Sequence, residues 1–312
     1  MSLTSVLLTL LSACLHVVMH ATLKNARDRA SFVWWTLLWS SLIFSPAPIF
    51  FWQSGSALTW AILIVSGAFE ALYCIAISKA YKSGDLSVVY PLARGTAPLF
   101  ILLWSTLFLR ERPTVGGLCG VALIIAGLCV INLPGLPGLP GLPGLPGLPG
   151  LPGLPGLPGL GAWRKTLQNL GQSGPRWALL AGLCISCYTT LDKAGVRLIA
   201  PLLYTYLVTA MTLVWLTPGT LRAVGWQGLM AEWRFSRYSS MIASVTATAA
   251  YAIVLYVMQT GAPVSYVGAM REISVVFGAV VGVVFLKEEG AFTRVFGSLL
   301  IAAGVGVIAL LG

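Results

Sequence analysis

Residues 84–100 read "GDLSVVYPLARGTAPLF" and residues 261–277 read "GAPVSYVGAMREISVVF". Set one above the other, they share a constant offset of 177 that continues without a gap. It pairs Arg94 with Arg271, Leu109 with Leu286 and Glu111 with Glu288 inside "FLRE" and "FLKE", then Gly120 with Gly297 and Gly127 with Gly304. A register held through two apolar runs and the polar turn between them is the mark of an internal repeat, which has to be recognised before any topology is drawn.

The surroundings of both copies are those of a membrane protein. Of 312 residues, 57 % are apolar and 9 % charged, with a mean hydropathy of +0.88, against roughly 25 % charged in soluble domains. A crossing helix needs about 20 apolar residues. By that measure ten spans are predicted, at 3–23, 32–51, 57–80, 86–109, 115–133, 177–196, 200–216, 240–260, 264–286 and 292–311. The apolar N-terminus lacks the basic start and small-residue cleavage site of a secretory signal, so it is expected to remain as the first span. Trp34, Trp35, Trp52, Trp60, Trp177 and Trp215 fall near span ends, as an interfacial belt requires. Segment 218–238 is too polar to span and is expected on the membrane surface.

Between the halves stand nine copies of Leu-Pro-Gly, residues 133–159. Proline at every third position removes amide donors and glycine adds backbone entropy, so neither a helix nor a central strand is available there. The predicted organisation is a five-helix repeat at 1–132, a low-complexity linker at 133–161 and a second five-helix repeat at 162–312. An odd number of spans turns the second repeat upside down relative to the first. The fold class is therefore an all-α integral membrane protein of ten transmembrane helices in two inverted repeats.

The net charge of +10 is spread as single residues between apolar runs, without the basic stripe and interleaved aromatics of a nucleic-acid binder, so nucleic acid is excluded as a partner. Counting residues at span ends with the adjoining loop, 13 of the 19 Lys and Arg belong to the odd-numbered inter-span loops and 4, Arg110, Arg112, Lys193 and Arg197, to the even ones, with Arg94 and Arg271 deeper inside spans. The positive-inside rule then puts the odd loops in the cytoplasm and the termini outside. All six cysteines sit in apolar runs and read as small hydrophobes; the "CISC" of residues 184–187 has redox spacing without a thioredoxin-like context.

Several stretches carry a family likeness. "KAYKSGDLSVVYPLARGTAPLF", "FLRERPTVGGLCGVALIIAGLCVI", "FLKEEGAFTRVFGSLLIAAGVGVI" and the opening "LLSACLHVVMHATLKN" resemble the EamA-type drug/metabolite transporter superfamily. The likeness covers nearly the whole chain outside the spacer; it departs at Thr22 and Leu23, where many members have a Trp-containing sequence. The resemblance implies a permease or exporter of small metabolites, often amino acids or related organic anions, with a central cavity between the repeats. One subgroup with a similar opening is associated with phosphonate use. It also implies a multi-pass protein of a bacterial cytoplasmic (inner) membrane with cytoplasmic termini, opposite to the loop charges, and both orientations stay open. A proton or counter-substrate is the expected partner besides the substrate and the bilayer, and no cofactor is expected.

Ionisable groups inside spans are costly and usually face a cavity or a partner. Glu70, Arg94, Arg271 and Glu272 are the clear cases. The arginines form a pseudo-symmetric pair that either binds an anionic group, latches gates through Glu70 and Glu272, or only holds the bundle together. Arg271 and Glu272, about 100° apart on a helix, are expected to point in different directions. His16 and His20, at i and i+4, could ligate a metal, line a cavity or pack. Tyr73, Tyr90, Tyr188, Tyr251 and Tyr266 are candidate cavity walls. Pro91 and Pro98 bracket Arg94 and should weaken its helix, freeing carbonyls. Gly116 with Gly120, and Gly278 with Gly282, offer small faces for close helix contact. Two other readings are kept: an integral-membrane enzyme using His16, His20 and Glu70, which lacks a complete nucleophile or metal signature, and a nontransporting assembly subunit.

Overall fold

A computed structural model describes residues 1–83, 86–131, 173–277 and 291–312, with side chains at 24, 81–83, 86–91 and 291–294 left aside. The Leu-Pro-Gly linker, Glu288, Gly278 and Gly282 lie outside the described residues. Ten helices occur among them: α1 Leu3–Lys24, α2 Arg29–Ile43, α3 Ala47–Phe51, α4 Ala57–Ser83, α5 Leu86–Phe108, α6 Val115–Ile131, α7 Ser173–Gly195, α8 Pro201–Gln259, α9 Val264–Met270 and α10 Ala291–Leu311. The chain is an all-helical membrane protein. By length and apolarity Leu3–Leu23, Ala57–Ala80 and Pro201–Gln259 can each cross a bilayer, and Leu92–Phe108, Val115–Ile131 and Val295–Leu311 are shorter apolar helices.

Local chemistry sets the ends. Ser2 and Asp28 cap α1 and α2 by accepting the amides of Ser5 (3.1 Å) and Ser31 (2.7 Å). The expected second span is split, since α2 stops before Ser45 and Pro46 and α3 follows as a short helix. The 59 residues of α8 are not one rod. Gly225 takes a left-handed φ of 69°, which glycine tolerates, and Ser236 leaves helical geometry too, so α8 has limbs at 201–224, 226–235 and 237–259.

The middle limb, within the segment 218–238 expected on a membrane surface, packs on α2. Leu229 is fully buried against Trp34 and Trp35, the Trp35 indole donates to the Leu229 carbonyl (2.8 Å), and Trp233 packs on Trp35 and Trp39. Trp34 and Trp35 are thus core residues and not a belt; Trp52 and Trp215 are exposed, as a belt requires.

The repeat shows most directly where α6 packs along α10. A Cβ added at Gly120 would lie 2.7 Å from the Gly304 carbonyl, and one at Gly304 would lie 2.6 Å from the Gly120 carbonyl. Gly127 and Gly297 stand in the same reciprocal relation at 2.6 and 2.7 Å. The 177-residue offset maps Gly120 onto Gly297 and Gly127 onto Gly304, so the two contacts are images of each other under a two-fold axis. Small residues let the two backbones touch, which is how helices associate where lipid supplies no hydrophobic drive.

One face of the bundle, carrying the termini and the even loops, is tied shut. The Met1 ammonium donates to the Gly312 carbonyl (2.8 Å), and the Ala200 amide to Gln53 Oε1 (2.9 Å). Glu111 accepts the Val264 amide (2.7 Å) and the Ser265 hydroxyl (2.9 Å), capping α9 from the other repeat. Tyr266, expected at a cavity, is buried in this region, and its hydroxyl accepts the Thr114 amide (2.7 Å).

Candidate functional site

A cavity of about 990 Å³ runs from the α1–α2 connection, where Arg27 and Arg29 are exposed, inward to Tyr188, Thr189 and Tyr251. Its walls include His16, His20, Glu70, Tyr73, Tyr188, Tyr251, Arg94, Arg271 and Glu272. Spans from both repeats therefore bring nearly all the candidate residues together. Tyr90 belongs to α5, but its side chain is outside those described.

The charges are not arranged as two equal arginines. Arg94 Nη1 reaches Glu272 Oε1 at 3.4 Å and Oε2 at 3.5 Å, an ion pair that joins the first repeat to the second. Its Nη2 donates to His20 Nε2 (3.3 Å). Because a guanidinium has no acceptor, that contact uses the His20 Nε2 lone pair and fixes the neutral tautomer protonated at Nδ1. His16 meets His20 edge to face at a centroid distance of 4.5 Å. Among the described residues no group of three His, Cys, Asp or Glu side chains is placed to hold a metal.

Arg271 differs. It lines the same cavity, yet makes no hydrogen bond or ion pair with a described residue. Glu70, expected as a possible latch partner for an arginine, instead accepts the Thr212 hydroxyl (2.7 Å).

Arg271 and Glu272 both line this cavity, and the backbone changes character between them. Helix α9 ends at Met270, and the amides of Glu272, Ser274 and Val275 bond three residues back to Ala269, Arg271 and Glu272. Such 3₁₀-type bonds set successive side chains about 120° apart, so Arg271 and Glu272 line different parts of the cavity wall. On the matching helix of the first repeat, α5 stays helical through Arg94 in spite of Pro91 and Pro98, so the break lies in the repeat that lacks the prolines.

Two buried charged residues outside the cavity lining, one of them bonded to the cavity residue Tyr251, were not singled out from sequence. Asp192, 1 % exposed, accepts the hydroxyls of Ser66 (2.5 Å), Tyr204 (2.8 Å) and Tyr251. Lys193, read from sequence as a loop cation, lies within α7 at 2 % exposure and donates to the carbonyls of Met258 (2.5 Å) and Ala262 (2.8 Å). Adjacent opposite charges near a predicted span end look like the boundary of the span, which hid their depth.

No curated relative matches the chain. A solved crystal structure superposes with a TM-score of 0.69 at 14 % identity, over 100 % of this chain and 98 % of its own; at that identity the likeness carries the fold alone. The model of the EamA-like transporter family matches residues 2–133 and 172–310, one match in each half and none across the linker. The chain belongs to the EamA-like transporter family, whose members are membrane transporters and not enzymes.

Proposed function

We propose that this transporter carries a small metabolite bearing an anionic group, such as an amino acid or related organic anion, across a bacterial cytoplasmic membrane. It works by alternating access between the two repeats, coupled to a proton or a counter-substrate. The observation that carries this reading is the contrast between the arginines. Arg94 is compensated by Glu272, whereas Arg271 presents a cation to the cavity without a hydrogen-bond or ion-pair partner among the described residues. An ionisable group at membrane depth is costly, and a ligand anion would supply what the protein withholds. Glu70 offers a carboxylate in the same cavity, suited to an ammonium group on the same ligand. His16, His20, Tyr188 and Tyr251 complete the walls, and Tyr90 is assigned to them by its place on α5.

The test is counterflow in proteoliposomes across amino acids, organic acids and phosphonates, with and without a proton gradient. Uptake of an anionic or zwitterionic solute that Arg271→Gln removes supports the reading; uptake only of neutral or cationic solutes overturns it. In the same reading, the segment 133–161 is a tether between repeats 1–132 and 162–312, which associate through their own helices.

A further inference from the structure

We infer that Asp192 is the proton-binding site of this protein, and that its ionised form clasps the even-loop face shut. Three helical segments converge on this one carboxylate: α4 through Ser66, the first limb of α8 through Tyr204 and the last limb through Tyr251. All three are hydroxyl donors, and no cation forms an ion pair with it among the described residues. Its neighbour Lys193 is turned away onto the carbonyls of Met258 and Ala262. Around it, α4 also presents Glu70, α7 presents Tyr188, and Arg271 acts from beyond α9 through space. A buried carboxylate compensated only by hydroxyl dipoles at membrane depth has the chemistry of a proton relay.

The route is short. Tyr251 lines the cavity and donates to Asp192 Oδ2, so a proton from the cavity reaches the carboxylate past one hydroxyl. When Oδ2 takes that proton, a new O–H bond forms, and the carboxyl becomes a donor on the side where Tyr251 was donating. Tyr251 must rotate to accept or let go. The remaining bonds from Ser66 and Tyr204 lose their charge assistance, and charge-assisted bonds are roughly twice as strong as neutral ones. The clasp between α4, α7 and both long limbs of α8 then loosens, with Lys193 and its two carbonyls at the end that opens.

The inference rests on the alternating-access reading, but its test needs no substrate, so its failure and a failed transport screen are separate results. The experiment is amide hydrogen exchange of the full chain in lipid nanodiscs, in mildly alkaline and mildly acidic buffer, corrected for intrinsic rates. Peptides covering 193–203 and 258–265 should be protected in alkaline buffer and exchange about tenfold faster in acid. Asp192→Asn should exchange fast in both, and Tyr251→Phe should exchange faster than the unmodified chain in alkaline buffer. If Asp192→Asn does not fold, Tyr251→Phe decides alone, and unchanged protection in that variant overturns the inference. It is equally overturned if the unmodified chain shows no response to acid, or if added sodium at constant pH reproduces it.

Discussion

Replacing Glu272 by Gln keeps the shape of the side chain and removes its charge, and the structure sets the scale of the effect. At 3.4 Å, an effective dielectric of about 20 gives an attraction of about 5 kcal/mol before desolvation. The side chains remain 17 % and 8 % exposed, so solvent recovers part of the loss when one partner goes. The expected cost of Glu272→Gln is therefore about 3 kcal/mol, at the low end for orphaning one member of a buried pair. Arg94→Gln should cost about the same. The double variant should cost about 3 kcal/mol in place of the roughly 6 that independent sites would give, since the second substitution removes a charge already orphaned. Reversible unfolding in mixed micelles measures all three. Additivity to within about 0.5 kcal/mol would refute the argument, because it would mean that the two groups do not act on each other.

Further outcomes follow from the packing and from the linker. Gly120→Ala or Gly127→Ala puts a methyl 2.6–2.7 Å from a backbone carbonyl, so α6 and α10 must separate by roughly 0.7 Å to restore ordinary contact. Overpacking of about 1–3 kcal/mol then outweighs the gain of up to about 1 kcal/mol in helix propensity, whereas Gly306→Ala, with open space at its Cβ, should be neutral or stabilising in the same thermal unfolding assay. Lys193→Met removes the Lys193 donor from the Ala262 carbonyl and from the Met258 carbonyl, which still accepts the Gly261 amide (3.2 Å), and should destabilise by about 1–3 kcal/mol, read from the same unfolding curves. Cutting the nine Leu-Pro-Gly triplets to three should leave insertion and transport nearly unchanged, and a cysteine placed in that linker should resist an impermeant thiol reagent outside intact cells if the odd loops are cytoplasmic.

The repeat was legible in the sequence because the reciprocal contacts of α6 and α10 place the same demands on both halves. A glycine must stand wherever α6 and α10 touch, so Gly120 and Gly127 recur as Gly297 and Gly304. Most of the cavity was legible for a related reason, since charge at membrane depth needs a polar face and Arg94, Arg271, Glu70 and Glu272 had few places to go. What spacing could not reveal was the pairing. Glu272 reaches Arg94 across the repeat interface, from a position 178 residues away, and spacing along one helix carries no information on such a partner. Asp192 escaped notice because its partners are hydroxyls, which carry no sequence signal at long range: Ser66 and Tyr251 lie 126 and 59 residues away. The packing of the middle limb of α8 on α2 was not legible, because Trp35, which meets its Leu229, lies 194 residues away.

The central claim is that Arg271 holds the anionic group of a transported ligand while Arg94 holds the bundle. The most direct measurement is counterflow of the solute identified in the screen, in proteoliposomes carrying Arg271→Gln, with Lys at the same position as a second variant. The account predicts that Arg271→Gln inserts and unfolds like the unmodified chain but loses counterflow, and that Lys restores part of it with a raised half-saturation concentration. Counterflow at the normal rate with Gln at position 271 would contradict it.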